Sequence, residues 1–490
     1  MKIRPDKAET VIKTKQRTPQ KFDPIKRKWW KAQSKQDLAD QLLGTINYLK
    51  QNQQYRITQA SRNSLLYGNM PLSGVIGQNY SRMNMGVQLP VDRPTMNVVQ
   101  SCVDTLVSRV TQQKPRPIFL TDNGDHKMRS LAKQLNQFIM GEFYQTKTYR
   151  VGAQLLTDAA VLKTGCVQVY EDPTSKRVAL DRLLQTELYV DPNDARYGFP
   201  TQLFRLKLID RSVLEEMFPD KGAMVRNATE AFPESTGEST QSISDQVMVG
   251  EGWHLPSGKG AKDGLHAIVC TAGVLTDDVY EKPRFPFAFL HYAPGNIGFW
   301  GQSLADQLMG TQREINKLLM TISKSINLMG VPRVFLESGS KVAEGSFNNQ
   351  IGMICKYTGT PPIFSVAECI APEIYQQLQR LIDYAYQQSG ISQLSSQGQK
   401  PSGLNSGEAL REYDDIQTDR FASLVRRYDD FYIDVSHLMI DCAKDIAERD
   451  GKYQTIFPDK DGTREINLPE AKLLDNPFVI QTYDTSSLPR

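Results

Sequence analysis

Reactive residues are scarce and scattered in this chain of 490 residues. Its five histidines, His126, His254, His266, His291 and His437, include no H-E-x-x-H pair and no neighbour at metal-ligand spacing. Six cysteines (Cys102, Cys166, Cys270, Cys355, Cys369, Cys442) lie far apart, which excludes zinc-ligand pairs and the dense framework of small secreted domains; reduced, partly buried thiols are expected. No G-x-x-x-x-G-K-[ST] phosphate loop occurs. "SGKGAKDG" at 257–264 has Gly-Lys but no following Ser or Thr and no helix to aim at a phosphate, and it reads as a hairpin turn. Long apolar runs are also missing. The longest uncharged run, Phe285 to Ala305, holds Pro286, His291, Pro294, Gly295, Asn296 and Gln302, so no membrane insertion is expected. The N-terminus has basic residues without an apolar h-region, unlike a signal peptide.

Paired acids are present at Asp414-Asp415 and Asp429-Asp430, but they belong to a stretch from Glu408 to Arg449 with eleven acidic and six basic residues, the pattern of a solvated or subunit-facing helix surface. Cys355 has no activating partner in the sequence. No catalytic residue, metal or cofactor is assigned, and the chain is expected not to be an enzyme.

What the sequence does have is length and ordinary globular composition. A net charge of +3 excludes a chain that coats DNA by bulk charge, and the length suggests two to four domains or one large domain with insertions. Positive charge concentrates at one end: residues 1–31 hold eleven Lys or Arg against Asp6, Glu9 and Asp23, and the remainder is slightly acidic. This arm, ending in Trp29-Trp30, fits docking on nucleic acid or a neighbouring subunit and equally fits a solvated terminus.

Hydrophobic spacing orders the rest. Helices are predicted in "KQDLADQLLGTINYLKQNQQYR", "NVVQSCVDTLVSRVTQQKPRP", "HKMRSLAKQLNQFIMGEFYQ" and "YRVGAQLLTDAAVLKTG", the last capped by Gly165. Short strands of an antiparallel sheet follow: "CVQVYED", "RVALDRLLQTELYVDP", "QLFRLKLI", "QVMVGEGWHL" and "LHAIVCTAGVLTDDVYE".

A second helical region then opens in "PGNIGFWGQSLADQLMGTQREINKLLMTISKSINLMG". At about 100° per residue, Leu304, Leu308, Ile315, Leu318, Ile322, Ile326 and Met329 share one face, and Arg313, Lys317 and Lys324 share the opposite one. Strand-like "RVFLES" and "IGMICKY" follow, with "GTPPIF" as a turn, and Pro372 opens the helix "PEIYQQLQRLIDYAYQQ". Ser389-Gly390 breaks it. After the polar loop "ISQLSSQGQKPSGL", Asn405 and Glu408 form a capping box for a helix running to about Arg449, roughly 60 Å at 1.5 Å per residue. Its apolar face is Leu424, Tyr428, Phe431, Val435, Leu438 and Cys442.

The order of these elements resembles the portal proteins, or head-tail connectors, of tailed double-stranded DNA bacteriophages. The resemblance spans residues 90–450 and is carried by "NVVQSCVDTLVSRVTQQKPRP", "GFWGQSLADQLMGTQREINKLL" and "PSGLNSGEAL". It implies an α+β subunit with a basic arm and lead-in helix (1–45), a mixed α/β wing (46–300), stem helices (301–330 and 371–390) flanking a small β-containing clip (331–370), a tunnel loop (391–403), a very long wing helix (404–450) and C-terminal wing strands (451–490). The helical crown common in the family is absent here or not included, and residues 1–31 match no family part.

By resemblance, the function is that of a ring, typically of twelve subunits, at one capsid vertex of the virion, assembled in the host cytoplasm with major capsid and scaffolding proteins. Double-stranded DNA would pass through it during packaging and ejection without base readout, touching Gln397, Gln399 and Lys400 of the loop, and Arg313, Lys317 and Lys324 if that stem face looks inward. The clip, with Lys341 and Glu344 on an exposed turn, would dock the terminase large subunit and later the head-tail adaptor. The long helix and the stem stripe are the candidate patches for the ring contacts. The alternative reading is a helical scaffold or filament-forming structural protein that assembles through the long helix.

Overall fold

The computed structural model describes residues 28–69, 95–112, 114–121, 126–229, 245–258, 260–330, 333–335, 363–365, 372–391, 421–459, 462–468 and 478–483. The helices among them are α1 (Lys35–Asn52), α2 (Gln54–Tyr67), α3 (Val98–Val110), α4 (His126–Gln145), α5 (Thr148–Leu162), α6 (Arg211–Met217), α7 (Gly222–Asn227), α8 (Leu304–Gly330), α9 (Pro372–Ser389) and α10 (Ala422–Asp450). The strands are β1 (Arg116–Thr121), β2 (Thr164–Asp172), β3 (Arg177–Leu183), β4 (Leu188–Tyr189), β5 (Gln202–Asp210), β6 (Gln246–His254), β7 (Leu265–Cys270), β8 (Gly273–Val279), β9 (Phe287–His291), β10 (Arg333–Phe335), β11 (Ile363–Ser365), β12 (Gln454–Asp459), β13 (Gly462–Asn467) and β14 (Phe478–Tyr483). The class is mixed α+β, and the chain divides into two compact units.

The first unit takes the described parts of residues 1–53, 189–191 and 201–283. Its sheet runs β4–β5–β6–β7–β8, with β5 to β8 joined as antiparallel neighbours. The "SGKGAKDG" segment links β6 to β7, as its turn chemistry predicts. Glycine fixes where α1 lies. The Ser34 hydroxyl accepts from the Asp37 amide at 3.2 Å to start the helix, and Leu42, Leu43 and Ile46 turn inward. A Cβ at Gly250 would lie 2.9 Å from Ile46 Cδ1, and one at Gly252 would lie 2.5 Å from Leu42 Cδ1, so these β6 glycines admit the helix to the sheet. On the other side, α6 and α7 contribute Leu214 and Val225 to a small core with Val247, Val249 and Cys270.

The stretch predicted as one helix over 35–56 is two. It breaks at Gln53, whose side-chain amide donates to the Val190 carbonyl at 2.7 Å.

The second unit holds the larger core, with contributions from α2 to α5, α8 to α10 and the antiparallel sheet β3–β2–β9. The predicted stripe of α10 is its centre: Leu424, Tyr428, Phe431, Val435 and Leu438 are buried and Cys442 is half-buried. Tyr428 and Tyr432 hydroxyls share a hydrogen bond of 3.0 Å. Above them α5 carries Gly152, where a Cβ would collide with the Tyr432 hydroxyl, so glycine sets the α5–α10 approach. The part of the predicted long helix before residue 421, with Asn405 and Glu408, lies outside the described residues.

Gly165 does not cap α5. The helix ends at Leu162, and Lys163 takes the positive φ of 87° at its C-cap. Gly165 sits inside β2, where a Cβ would strike the Leu155 carbonyl. Its lack of a side chain serves strand-on-helix packing. A single Gly after a helical run cannot distinguish these two demands. The "GTPPIF" turn is also shorter than expected, because Ile363 and Phe364 already pair with Phe335 and Val334 in the β10–β11 ladder.

Candidate nucleic-acid interface

The basic face of α8 is positioned by what holds the opposite face and the helix start. Ser303 and Asp306 form the first-turn lock: the Asp306 amide donates to Ser303 Oγ at 3.0 Å, and the Ser303 amide points back to Asp306 Oδ2 at 3.5 Å. The same carboxylate is a hub. Asp306 Oδ1 accepts from Gln59 Nε2 at 2.7 Å and from Asn63 Nδ2 at 2.8 Å, while Lys163 Nζ lies 3.3 Å from Oδ2 with both side chains largely buried. Asn63 Nδ2 also reaches the Val161 carbonyl and Ser303 Oγ, each at 3.1 Å. The start of α8 is thus tied to α2 and to the end of α5. Gly301 approaches the Ala293 carbonyl so closely that a Cβ would collide with it, which explains glycine just before the helix.

Nearly two turns further on, Gln312 is buried against the start of α3. Its Oε1 accepts from the Val98 amide at 2.9 Å, and its Nε2 donates to the Met96 carbonyl at 2.6 Å. The first amide of α3 thus finds an acceptor on another helix. α9 packs on α8 through the Gln388 side chain, which donates to the Gln307 carbonyl at 3.0 Å. Cys102 of α3 lies 3.5 Å from Ser389 Oγ at the end of α9, and Gly390 (φ 75°) terminates α9 as predicted.

With that side fixed, Leu304, Leu308, Ile315 and Ile322 are buried and Leu318 is half-buried. Ile326 departs from the predicted stripe by being half-exposed at 50%. Arg313, Lys317 and Lys324 are all exposed on the other face; the eleven steps from first to last span roughly 16 Å of helix. Lys317 Nζ pairs with Glu314 at 2.6 Å, whereas Arg313 and Lys324 pair with no carboxylate among the described residues. A row of exposed cations on a rigid helix suits phosphate contact without base readout. Gln397, Gln399, Lys400, Lys341 and Glu344 lie outside the described residues.

Sequence reasoning missed Gln59, Asn63, Lys163 and Gln312. The S-x-x-D spacing of Ser303 and Asp306 signals a helix start, but nothing in a linear pattern says that a buried lysine 143 positions earlier shares its carboxylate. Arg56 is a similar omission. Its guanidinium sits 4.0 Å over the Trp300 ring and donates to the Gln185 and Leu188 carbonyls at 2.6 and 2.7 Å, bracing the segment that leads into α8.

The strongest titration effects lie away from this face. Glu142 of α4 is 1% exposed; burial pushes its carboxyl up to about 7, against the weaker pull of the Thr455 and Tyr453 hydroxyls and Arg177. The folded chain therefore holds this proton more tightly than the unfolded chain. Its contribution is present below the ordinary value of 4.5 and is lost as pH rises through about 7. Glu142→Gln should remove that loss and be more stable than the wild type at about pH 8 by roughly 2–4 kcal/mol. Denaturant midpoints of both proteins at about pH 5 and about pH 8 check this, and an equal pH response would contradict it. His291 and His437 act in the opposite direction. Burial, helped by Arg427 and Arg284 respectively, lowers both to about 4, so they favour the unfolded chain as pH falls below 6.5.

Among the described residues, no group of three or more His, Cys, Asp or Glu is placed to hold a metal ion, and no helix is long and apolar enough to cross a membrane. No protein-family model and no curated protein sequence matches the chain.

Proposed function

We propose that this chain is a portal subunit, forming a ring at one capsid vertex through which double-stranded DNA is packaged and ejected, with the terminase large subunit and a head-tail adaptor as successive docking partners. The observation that carries the reading is the arrangement of α8, β10, β11 and α9. An amphipathic helix leads into a strand, a short antiparallel pair brings the chain back, and the returning helix packs on the first and is tied to α3 at its end. In that reading α8 and α9 are the stem, β10 and β11 the base of the clip, and the exposed Arg313, Lys317 and Lys324 the DNA-facing cations.

The alternative, a filament built on a long-helix coiled coil, fits less well. The α10 stripe from Leu424 to Leu438 is covered within its own subunit, so it does not offer an apolar seam to a second helix. The same burial narrows the expected ring contacts. Leu424 to Leu438 of the α10 stripe and Leu304, Leu308, Ile315 and Ile322 of α8 are covered within their own subunit, whereas Ile326 stays exposed on the stem stripe, so a ring draws on further surfaces. Native mass spectrometry of the full chain tests the proposal: a closed multimer is expected, and monomer or dimer under assembly conditions would refute it.

A further inference from the structure

The described surface of the second unit carries two apolar features of opposite shape. One is a projection. Tyr197 and Phe199 are each 86% exposed and Ile297 is 75% exposed, although the loops bearing them are firmly built. Ala195, just before them, is fully buried. The Gly198 amide donates to the Ala195 carbonyl at 2.9 Å, and the Gly298 amide donates to the Arg196 carbonyl at 3.0 Å, which sets the two loops side by side. Gly198 and Gly298 both take φ of 90°, the conformation such tight turns require. Two aromatic rings and an isoleucine held in water by an ordered scaffold are an unusual expense for an isolated surface.

The other feature is a hollow of about 420 Å³ at the α4–α5 turn, lined by Phe143, Tyr144, Gln145, Lys147, Tyr149 and Arg150. Its aromatic wall is rigid: Phe143 and Tyr149 meet edge to face at 5.7 Å, and the Tyr149 hydroxyl donates to the Pro115 carbonyl at 2.8 Å. Lys147 and Arg150 stand exposed beside it. Such a rim complements a projection that presents aromatic faces, because cations bind over rings.

The two features cannot satisfy each other within one subunit. The hollow lies at the first residues of α5. The loop with Ile297 lies by the last, where the Tyr292 amide donates to the Lys163 carbonyl at 3.3 Å and Ala293 bridges Gln302. The fifteen residues of α5 separate them by roughly 22 Å of helix. Different, complementary patches at opposite ends of one rigid element are the requirement for a head-to-tail contact.

We propose that the projection of Tyr197, Phe199 and Ile297 seats in the Phe143–Tyr144–Tyr149 hollow of a second copy of this chain, forming the repeating contact of the ring. This rests on the ring reading above and supplies the surfaces that the buried stripes cannot. Aromatic side chains bury about 150–250 Å² each, so these residues anchor a larger contact and do not constitute all of it.

The test uses complementary defects in the full chain. Phe199→Asp removes the projection and leaves the hollow intact; Tyr144→Asp does the reverse. Both positions are exposed, and circular dichroism melting compared with the wild type verifies the fold, with Phe199→Ser and Tyr144→Ser as gentler replacements. Each variant alone should fail to form rings, with the contact weakened roughly thirtyfold or more. Mixed in equal amounts, the two variants still share one good contact, so native mass spectrometry should show a heterodimer and nothing larger. Rings from either variant at wild-type concentrations, or a mixture that stays monomeric, would overturn this contact while leaving the ring reading intact. A wild-type chain that never assembles would overturn both.

Discussion

Asp306→Ala should loosen the start of α8 more than any other single change on that helix, at a cost of roughly 3–5 kcal/mol, the range for removing one partner of a buried ion pair. The carboxylate lies 3.3 Å from Lys163 Nζ and accepts from Gln59 and Asn63. Alanine therefore leaves a largely buried cation without its counter-charge, held only by Gln59 Oε1, and takes the acceptor from the Gln59 amide, while Asn63 keeps the Val161 carbonyl and Ser303 Oγ. Ser303 would also lose its reciprocal first-turn partner. Asp306→Asn should cost less, since it retains an acceptor for the amides and loses the charge. Hydrogen exchange over the first turns of α8 reads the effect directly, because that segment should open well before the α10 core. Protection unchanged from the wild type in Asp306→Ala would show that Ser303 and the buried leucines hold the helix without the carboxylate.

In the proposed ring, removing Arg313 and Lys324 together should make the binding of duplex DNA less sensitive to salt. Each lost phosphate contact lowers the slope of log affinity against log salt by about 0.9, so the double alanine variant should lose roughly 1–2 units of slope if both residues reach the backbone. Lys317→Ala should change it less, because Glu314 at 2.6 Å already offsets that charge. The sequence of the duplex should make no difference in any of these proteins, since phosphate contacts carry no base information. A double variant with the wild-type slope would turn this helix face away from the DNA.

Local periodicity made much of this fold legible, and long-range polar contacts account for most of what stayed hidden. The stripes of α8 and α10 were readable because a helix repeats its buried face every three to four residues, and Leu304, Leu308, Ile315, Leu424 and Phe431 are where that repeat puts them. The end of α5 escapes a linear pattern because Gly165 answers to the Leu155 carbonyl, a neighbour visible only in the fold. The angle of Ile326 alone puts it on the apolar stripe, but burial also needs a partner at that height along the helix, and it is half-exposed. The basic face was visible as a column of Arg313, Lys317 and Lys324. Its support was not, because Gln312, Asn63 and Lys163 act across more than a hundred positions. Periodicity also showed which faces are apolar without showing what covers them. That is why the α10 stripe, legible as a contact surface, proved to be the subunit's own core.

The most direct test of the ring reading is a class average of negatively stained full-length particles viewed down their axis. A closed ring of identical subunits around a hole that admits duplex DNA is the predicted result; filaments, compact particles without a hole, or monomers would contradict it.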